Sequence, residues 1–173
     1  TAIGAWASHY NYSGSSNTAV GHYAMFNNNT GNENVAVGKN ALRNIISGNK
    51  NTAVGTLALS GSNYTGHKNT AIGSHALSNN NSGFGNTASG NNALYSNTDG
   101  NHNVAAGDSA LSSNTTGNFN TASGALTLVN NSTGKENSAN GYLSLFTNTT
   151  GVGNTASGTY TLLLNTTGDK NTA

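Results

Sequence analysis

Cysteine and proline are both absent from the chain, and charge is scarce. Without cysteine, neither a disulfide nor a thiolate metal site can brace the fold, and redox chemistry says nothing about compartment. Without proline, every backbone N–H is free to donate to a β ladder, as a long sheet requires. Only 6% of the residues are charged and the formal net charge is +1. Six Lys and Arg spread over 173 residues make no basic patch or stripe, so nucleic acid is not an expected partner. Acidic ligands are not favoured either. No apolar run approaches the ~20 residues of a membrane-spanning helix, so no membrane insertion by this segment is expected.

Apolar residues are also few. They make up 34% of the chain, below the roughly 45–50% of ordinary globular domains. Asn, Ser, Thr and Gly dominate, a composition that by itself reads as disordered. Periodicity is what restores order, because each copy of a repeat can stack its few apolar side chains on those of the next.

The repeat is 17 residues long. Aligned on the Gly of a recurring Asn-Thr-Ala-x-Gly pentad, the copies fall at Gly4, Gly21, Gly38, Gly55, Gly73, Gly90, Gly107, Gly124, Gly141 and Gly158, with a single step of 18. A second Gly keeps the same beat from Gly14 to Gly168, which places the extra residue between Leu59 and Gly66. Counted from the Asn as position one, the unit is Asn-Thr-Ala-x-Gly-x-x-Ala-Leu-x-x-Asn-Thr-Thr-Gly-x-x. Its first Asn never varies from Asn17 to Asn171, nor does the Ala two places on. Short β-compatible stretches cut by two glycines argue against helix. Two strands of four or five residues and two turns fit one copy.

The expected fold is therefore all-β, a single-stranded parallel β-solenoid, or β-roll, of ten 17-residue coils. Coils stacked at ~4.8 Å would make a rod roughly 48 Å long. Stacking puts like above like, so the repeated Asn can bridge its amide to the same Asn one coil away. The Gly after Thr-Thr suits a turn with positive φ. Ala and Leu would fill a thin core.

If the invariant Ala points inward, the next residue points outward. In the first half that position holds Ile3, Val20, Val37, Val54 and Ile72, an apolar ladder expected to mediate association, most simply of three rods around an axis. In the second half it holds Ser89, Ala106, Ser123, Asn140 and Ser157, while bulk appears elsewhere at Leu126, Val129, Tyr142, Leu143 and Phe146. The contact between rods is expected to shift partway along.

The Asn-Thr-Ala-x-Gly-x-x-Ala-Leu pattern, as in Asn51 to Leu59 and Asn69 to Leu77, resembles the repeats of bacterial trimeric fibre proteins. These are the YadA-like heads of trimeric autotransporter adhesins, and phage tail-fibre and related surface fibres with Asn-Thr-Thr-Gly turns. The resemblance covers the whole chain and implies a left-handed, trimeric β-roll, exposed at a cell or virion surface. A 17-residue period exceeds the shorter one of the adhesin heads, and Asn140 stands where an apolar residue belongs.

No catalytic constellation emerges. The five His occupy five different repeat positions, and Glu33, Asp99, Asp108, Glu136 and Asp169 form no acid–base dyad by position. The turns carry Asn and Thr rather than the recurring Asp of calcium-binding β-rolls. Gly151 to Ala156 matches a dinucleotide fingerprint but lacks the helix that would follow it. No enzyme activity, cofactor or metal is expected. Glu33 and Lys50, one coil apart, are expected to pair on the surface.

Bulky residues at variable positions are the candidate ligand contacts: Trp6, Tyr23, Phe26, Arg43, Tyr64, Tyr95, Tyr142, Phe146 and Tyr160. Aromatics and Arg are favoured at binding hot spots. The expected function is a structural or adhesive extracellular fibre segment, with itself as partner and a cell-surface glycan or protein as a candidate ligand. Neither Thr1 nor Ala173 is flanked by a capping segment, so a longer array or end-to-end stacking is expected. The alternative is an ice-binding solenoid using the Thr column of Thr1, Thr18, Thr52, Thr70, Thr87, Thr121, Thr155 and Thr172, which Val35, Val104 and Ser138 interrupt.

Overall fold

The computed structural model describes residues 1–62 and 64–173. Asn63, in the inserted segment and first in an Asn-Tyr-Thr sequon, lies outside the described residues. The chain is a parallel β-solenoid. One short strand per coil, from Ala2–Ile3 and Thr18–Val20 to Ser138–Asn140 and Thr155–Ser157, stacks in sequence order into a ten-stranded sheet, or about nine turns. Pairing follows the repeat: Ala105 faces Ala88 on one side and Ala122 on the other. The 18-residue step keeps this register, Ala53 facing Ala71, so the insertion is absorbed away from the sheet.

The strands are shorter than their sequence implies, three residues in nine of the ten. Among the described residues a second, three-stranded sheet is made of Tyr10–Asn11, Asn27–Asn28 and Asn44–Ile45. Two backbone features explain the difference. Residues at the seventh and ninth positions are left-handed, as in Ser109 (φ 54) and Leu111 (φ 53), and interrupt extension. In the first coils the backbone donors after this kink reach the next coil, Asn29 N–H to Ile45 O at 3.1 Å. In later coils the residue at the twelfth position closes a local turn, Asn97 N–H to Leu94 O at 3.2 Å, while its neighbours Ser96 and Thr98 still donate to the next coil.

Positive φ also falls on the other glycine of the repeat. Gly107 (φ 141) and Gly124 (φ 129) of the pentads are in this region, whereas the glycine after Thr-Thr is not. The latter is required by close approach: a Cβ at Gly117 would run into Asn114 Oδ1 and the Gly134 carbonyl oxygen.

Three apolar columns fill the coil. Ala105, Ala110 and Leu111 represent the third, eighth and ninth positions, and each is fully buried. Leu is costly in the left-handed region, and burial of its side chain, about 2 kcal/mol per coil, offsets that cost. In the last coils the second Ala gives way to Thr127, Ser144 and Thr161. There the hydroxyls are satisfied internally, Thr127 Oγ1 donating to Gly141 O at 2.6 Å and Ser144 sharing a bond with Thr161 at 3.1 Å.

Two asparagine ladders run beside this core. The expected one is at position one: Asn120 Nδ2 donates to Asn103 Oδ1 at 3.2 Å, and Asn103 Nδ2 to Asn86 Oδ1 at 3.2 Å. Each such Asn also donates to the glycine carbonyl that closes its own coil, Asn103 to Gly117 O at 2.8 Å. A second ladder, at position twelve, links Asn97 to Asn80 at 2.7 Å and Asn114 to Asn97 at 2.8 Å. Its asparagines read as turn residues in sequence, and they serve the turn as well, Asn97 Nδ2 donating to Gly100 O at 3.0 Å.

Among the described residues the second ladder breaks over two adjacent coils, where Ile45 and then Tyr64 stand in its column. Tyr64 pairs with Ile45 of the coil before and is fully buried, so it is not the surface contact expected of it. Its hydroxyl donates to Asn51 Oδ1 and accepts from Asn69 Nδ2, both at 2.7 Å, which ties the inserted coil into the first ladder. Burial raises the phenol's pKa well above its ordinary value, keeping it neutral and able to donate. Tyr64→Phe leaves the ring but strips Asn51 and Asn69 of a partner. A loss of about 1–3 kcal/mol is expected, read as a lowered urea midpoint.

Candidate functional site

Two outer faces of the rod carry the side chains that could meet a partner. The first is the sheet face. Strand alternation turns the invariant Ala inward and its neighbour outward, and register stacks Ile3 on Val20, Val20 on Val37, Val37 on Val54 and Val54 on Ile72. The column continues into Ser89 and turns polar there. The ends of the apolar stretch are open, Ile3 at 60% and Ile72 at 46% exposure, and the three valines between are half-buried. The Thr column lies beside it, and Thr52, Thr70 and Thr87 are consecutive before Val104 breaks the run.

The second face is built from the seventh and tenth positions, which flank the left-handed kink and point away from the core. In the first three coils it gathers Trp6, Tyr23, Phe26 and Arg43 into one cluster. Trp6 stacks parallel to Tyr23 with ring centroids 6.3 Å apart, and Tyr23 meets Phe26 edge-on at 4.9 Å. The Arg43 guanidinium lies 5.2 Å from the Tyr23 ring and 5.9 Å from that of Phe26. His9 joins them, parallel to Phe26 at 5.7 Å. Near the opposite end Tyr142, at the sixth position, meets Tyr160, at the seventh position of the next coil, edge-on at 5.7 Å, on the coils that also carry half-buried Phe146 and Leu163. Tyr95 stands apart from both groups, 6.2 Å from His75.

The candidate contacts are thus two clusters and an isolated ring, with Tyr64 removed to the interior. A third aromatic group, Phe84, His102 and Phe119, was not singled out in sequence. His102 is edge-on to Phe84 at 4.9 Å and parallel to Phe119 at 5.3 Å. The available signal was the 17-residue step between His102 and Phe119. Glycine makes room for the stack, since a Cβ at Gly85 would come within 2.8 Å of His102 Nδ1.

Between the two clusters of the second face is a shallow groove of about 450 Å³, lined by Tyr95, His75, Ser96, Ser109, Ser112 and Ser113 together with the Asn92 amide. Ser109 and Ser112 hold the positions that Tyr23 and Phe26 hold in the second coil and Leu126 and Val129 in the eighth, so their small side chains leave a trough. A second groove, about 400 Å³, lies against the insertion and includes Asn44, Ile46 and Ser62.

Electrostatics contribute little. Lys50 and Glu33 pair at 3.9 Å on the surface, worth at most about 1 kcal/mol. Among the described residues no three His, Asp or Glu side chains are grouped to hold a metal ion, and no helix is long and apolar enough to cross a membrane. No protein-family model, curated protein or solved structure matches the chain.

Proposed function

We propose that the chain is a non-enzymatic segment of an extracellular fibre, structural or adhesive, that associates with copies of itself through the sheet-face ladder. The observation carrying this reading is the in-register column Ile3, Val20, Val37, Val54 and Ile72 on an outer face. A continuous β-branched stripe is an unfavourable surface to leave in water and a favourable one to pack against its own image. Three rods around an axis would place three such stripes together, as in the trimeric fibres whose repeats this one resembles. The polar residues from Ser89 onward would make that axis looser beyond the middle of the rod, and only in the last coils would Leu126, Val129, Phe146 and Leu163 of the second face take over the apolar contacts.

Sedimentation equilibrium tests the reading. The unaltered chain is expected to form an oligomer, and Val20→Ser/Val37→Ser/Val54→Ser to weaken it by about 3 kcal/mol, a hundredfold in Kd, while the circular dichroism stays that of a β-solenoid. A monomeric unaltered chain, or an assembly indifferent to the three substitutions, would sink it. Thermal hysteresis of the purified chain checks the ice-binding alternative, which the breaks at Val35, Val104 and Ser138 weaken.

A further inference from the structure

We infer that the groove around Tyr95 is a binding site for a neutral oligosaccharide. It gives the adhesive part of the proposed function a ligand class and a place, and it belongs to a single chain, so it does not depend on association. The lining combines one aromatic ring, 38% exposed, with hydroxyls, an amide and an imidazole, and it includes no charged side chain. A sugar ring has an apolar C–H face and a rim of hydroxyls. An exposed aromatic ring suits the first and neutral donors and acceptors suit the second.

The polar groups are available. Ser109 Oγ is turned to Asp108 Oδ2 at 3.1 Å, but among the described residues the hydroxyls of Ser96, Ser112 and Ser113 have no partner within the chain. His75 shares a 2.9 Å hydrogen bond with Ser74 through Nδ1, which leaves Nε2 for a ligand. Ser96 and Ser113 are 17 residues apart in one column, so their hydroxyls recur at the coil spacing of ~4.8 Å and present a repeating row to a linear chain.

Other ligand classes fit less well. An anion would need Lys or Arg in the lining. The carboxylate of Asp108, next to Ser109 in the chain, already accepts from Asn91 Nδ2 at 3.1 Å and from Ser109, and among the described residues no cluster of carboxylates or imidazoles is grouped for a cation. A peptide adding itself as a strand needs open backbone donors. Here they are spent between coils, Ser96 N–H on Ser112 O at 2.9 Å and Ser113 N–H on Val129 O at 3.0 Å.

The test is an amide-resonance titration of the full chain with neutral cello-, malto-, manno- and chito-oligosaccharides, with oligogalacturonate as the anionic control. Saturable shifts centred on Tyr95, Ser96, Ser112 and Ser113 are expected for at least one neutral series. Tyr95→Ala removes the ring. Ser109→Leu/Ser112→Val fills the trough with the residues the fold already accepts one coil on, Leu126 having the same left-handed backbone (φ 55) as Ser109 (φ 54). Each variant is expected to weaken binding about tenfold or more with an unchanged unfolding midpoint. The titration is repeated on the triple-serine variant of the ladder, where binding is expected to persist, so failure of the association model and failure of the groove are separately visible. No response to any neutral series, shifts elsewhere on the rod, or binding that survives both groove variants would overturn the assignment.

Discussion

Gly107→Ala is expected to destabilise the solenoid by about 3 kcal/mol or more, seen as a large fall in thermal midpoint. Two costs coincide at this position. The backbone at Gly107 has φ 141, a region that side-chain-bearing residues rarely enter. The added Cβ would also lie 2.5 Å from the Gly124 carbonyl carbon and oxygen and 2.9 Å from Ala125 N, all backbone atoms of the next coil. No side chain can rotate aside to relieve this. Nor can the coils separate locally, because Gly124 N–H donates to Ala106 O at 2.8 Å and Gly107 N–H to Ser89 O at 2.8 Å. Because each coil contacts only its neighbours, a break here should uncouple the two halves of the array. Hydrogen exchange would then show protection falling first around residues 89–124. A loss under about 1 kcal/mol would mean that adjacent coils can shift, contrary to the close backbone stacking.

Asn103→Leu is expected to cost a similar amount, about 3 kcal/mol, although Leu is more hydrophobic and comparably branched. Asn103 Oδ1 accepts from the Asn120 backbone N–H at 3.0 Å and from Asn120 Nδ2 at 3.2 Å, while its own amide donates to Gly117 O and Asn86 Oδ1. Several partners have a second bond to fall back on: Gly117 O still accepts from Asn114, and Asn86 Oδ1 still accepts from the backbone of residue 103. The Asn120 backbone N–H has none. A buried peptide donor left unpaired is the largest single part of the penalty. Equilibrium urea unfolding of N103L against the unaltered chain measures it, and a stability gain would show that the ladder contributes less than hydrophobic burial at the same site.

Much of the architecture was legible because it rests on repetition. An Asn and an Ala that return every 17 residues determine coil length, parallel register and the inward and outward sense of the strand, whatever the details of the turn. The position-one ladder and the Ile3 to Ile72 column follow from that register alone. Tyr64 was misread because a bulky residue in an irregular coil looks like decoration. Its burial depends on Ile45 having replaced an Asn one coil earlier and on the distance from there to Asn51 and Asn69. The second Asn ladder was hidden for a related reason, since an Asn before Thr-Thr-Gly is a good turn residue in any fold.

The groove and the aromatic clusters were legible only as lists of names. Trp6, Tyr23, Phe26 and Arg43 become one cluster, and Tyr95 an isolated ring beside hydroxyls, once left-handed residues at the seventh and ninth positions aim the seventh and tenth side chains to one side. By itself the sequence determined the period, the stacking direction and which columns are polar or apolar, because these are one-dimensional properties of a repeat. Only the tertiary structure decided which glycine bears the positive φ, where Tyr64 goes and which variable positions share a face. Those depend on the path of the backbone between strands, and on residues of different coils whose proximity no spacing within a single copy records.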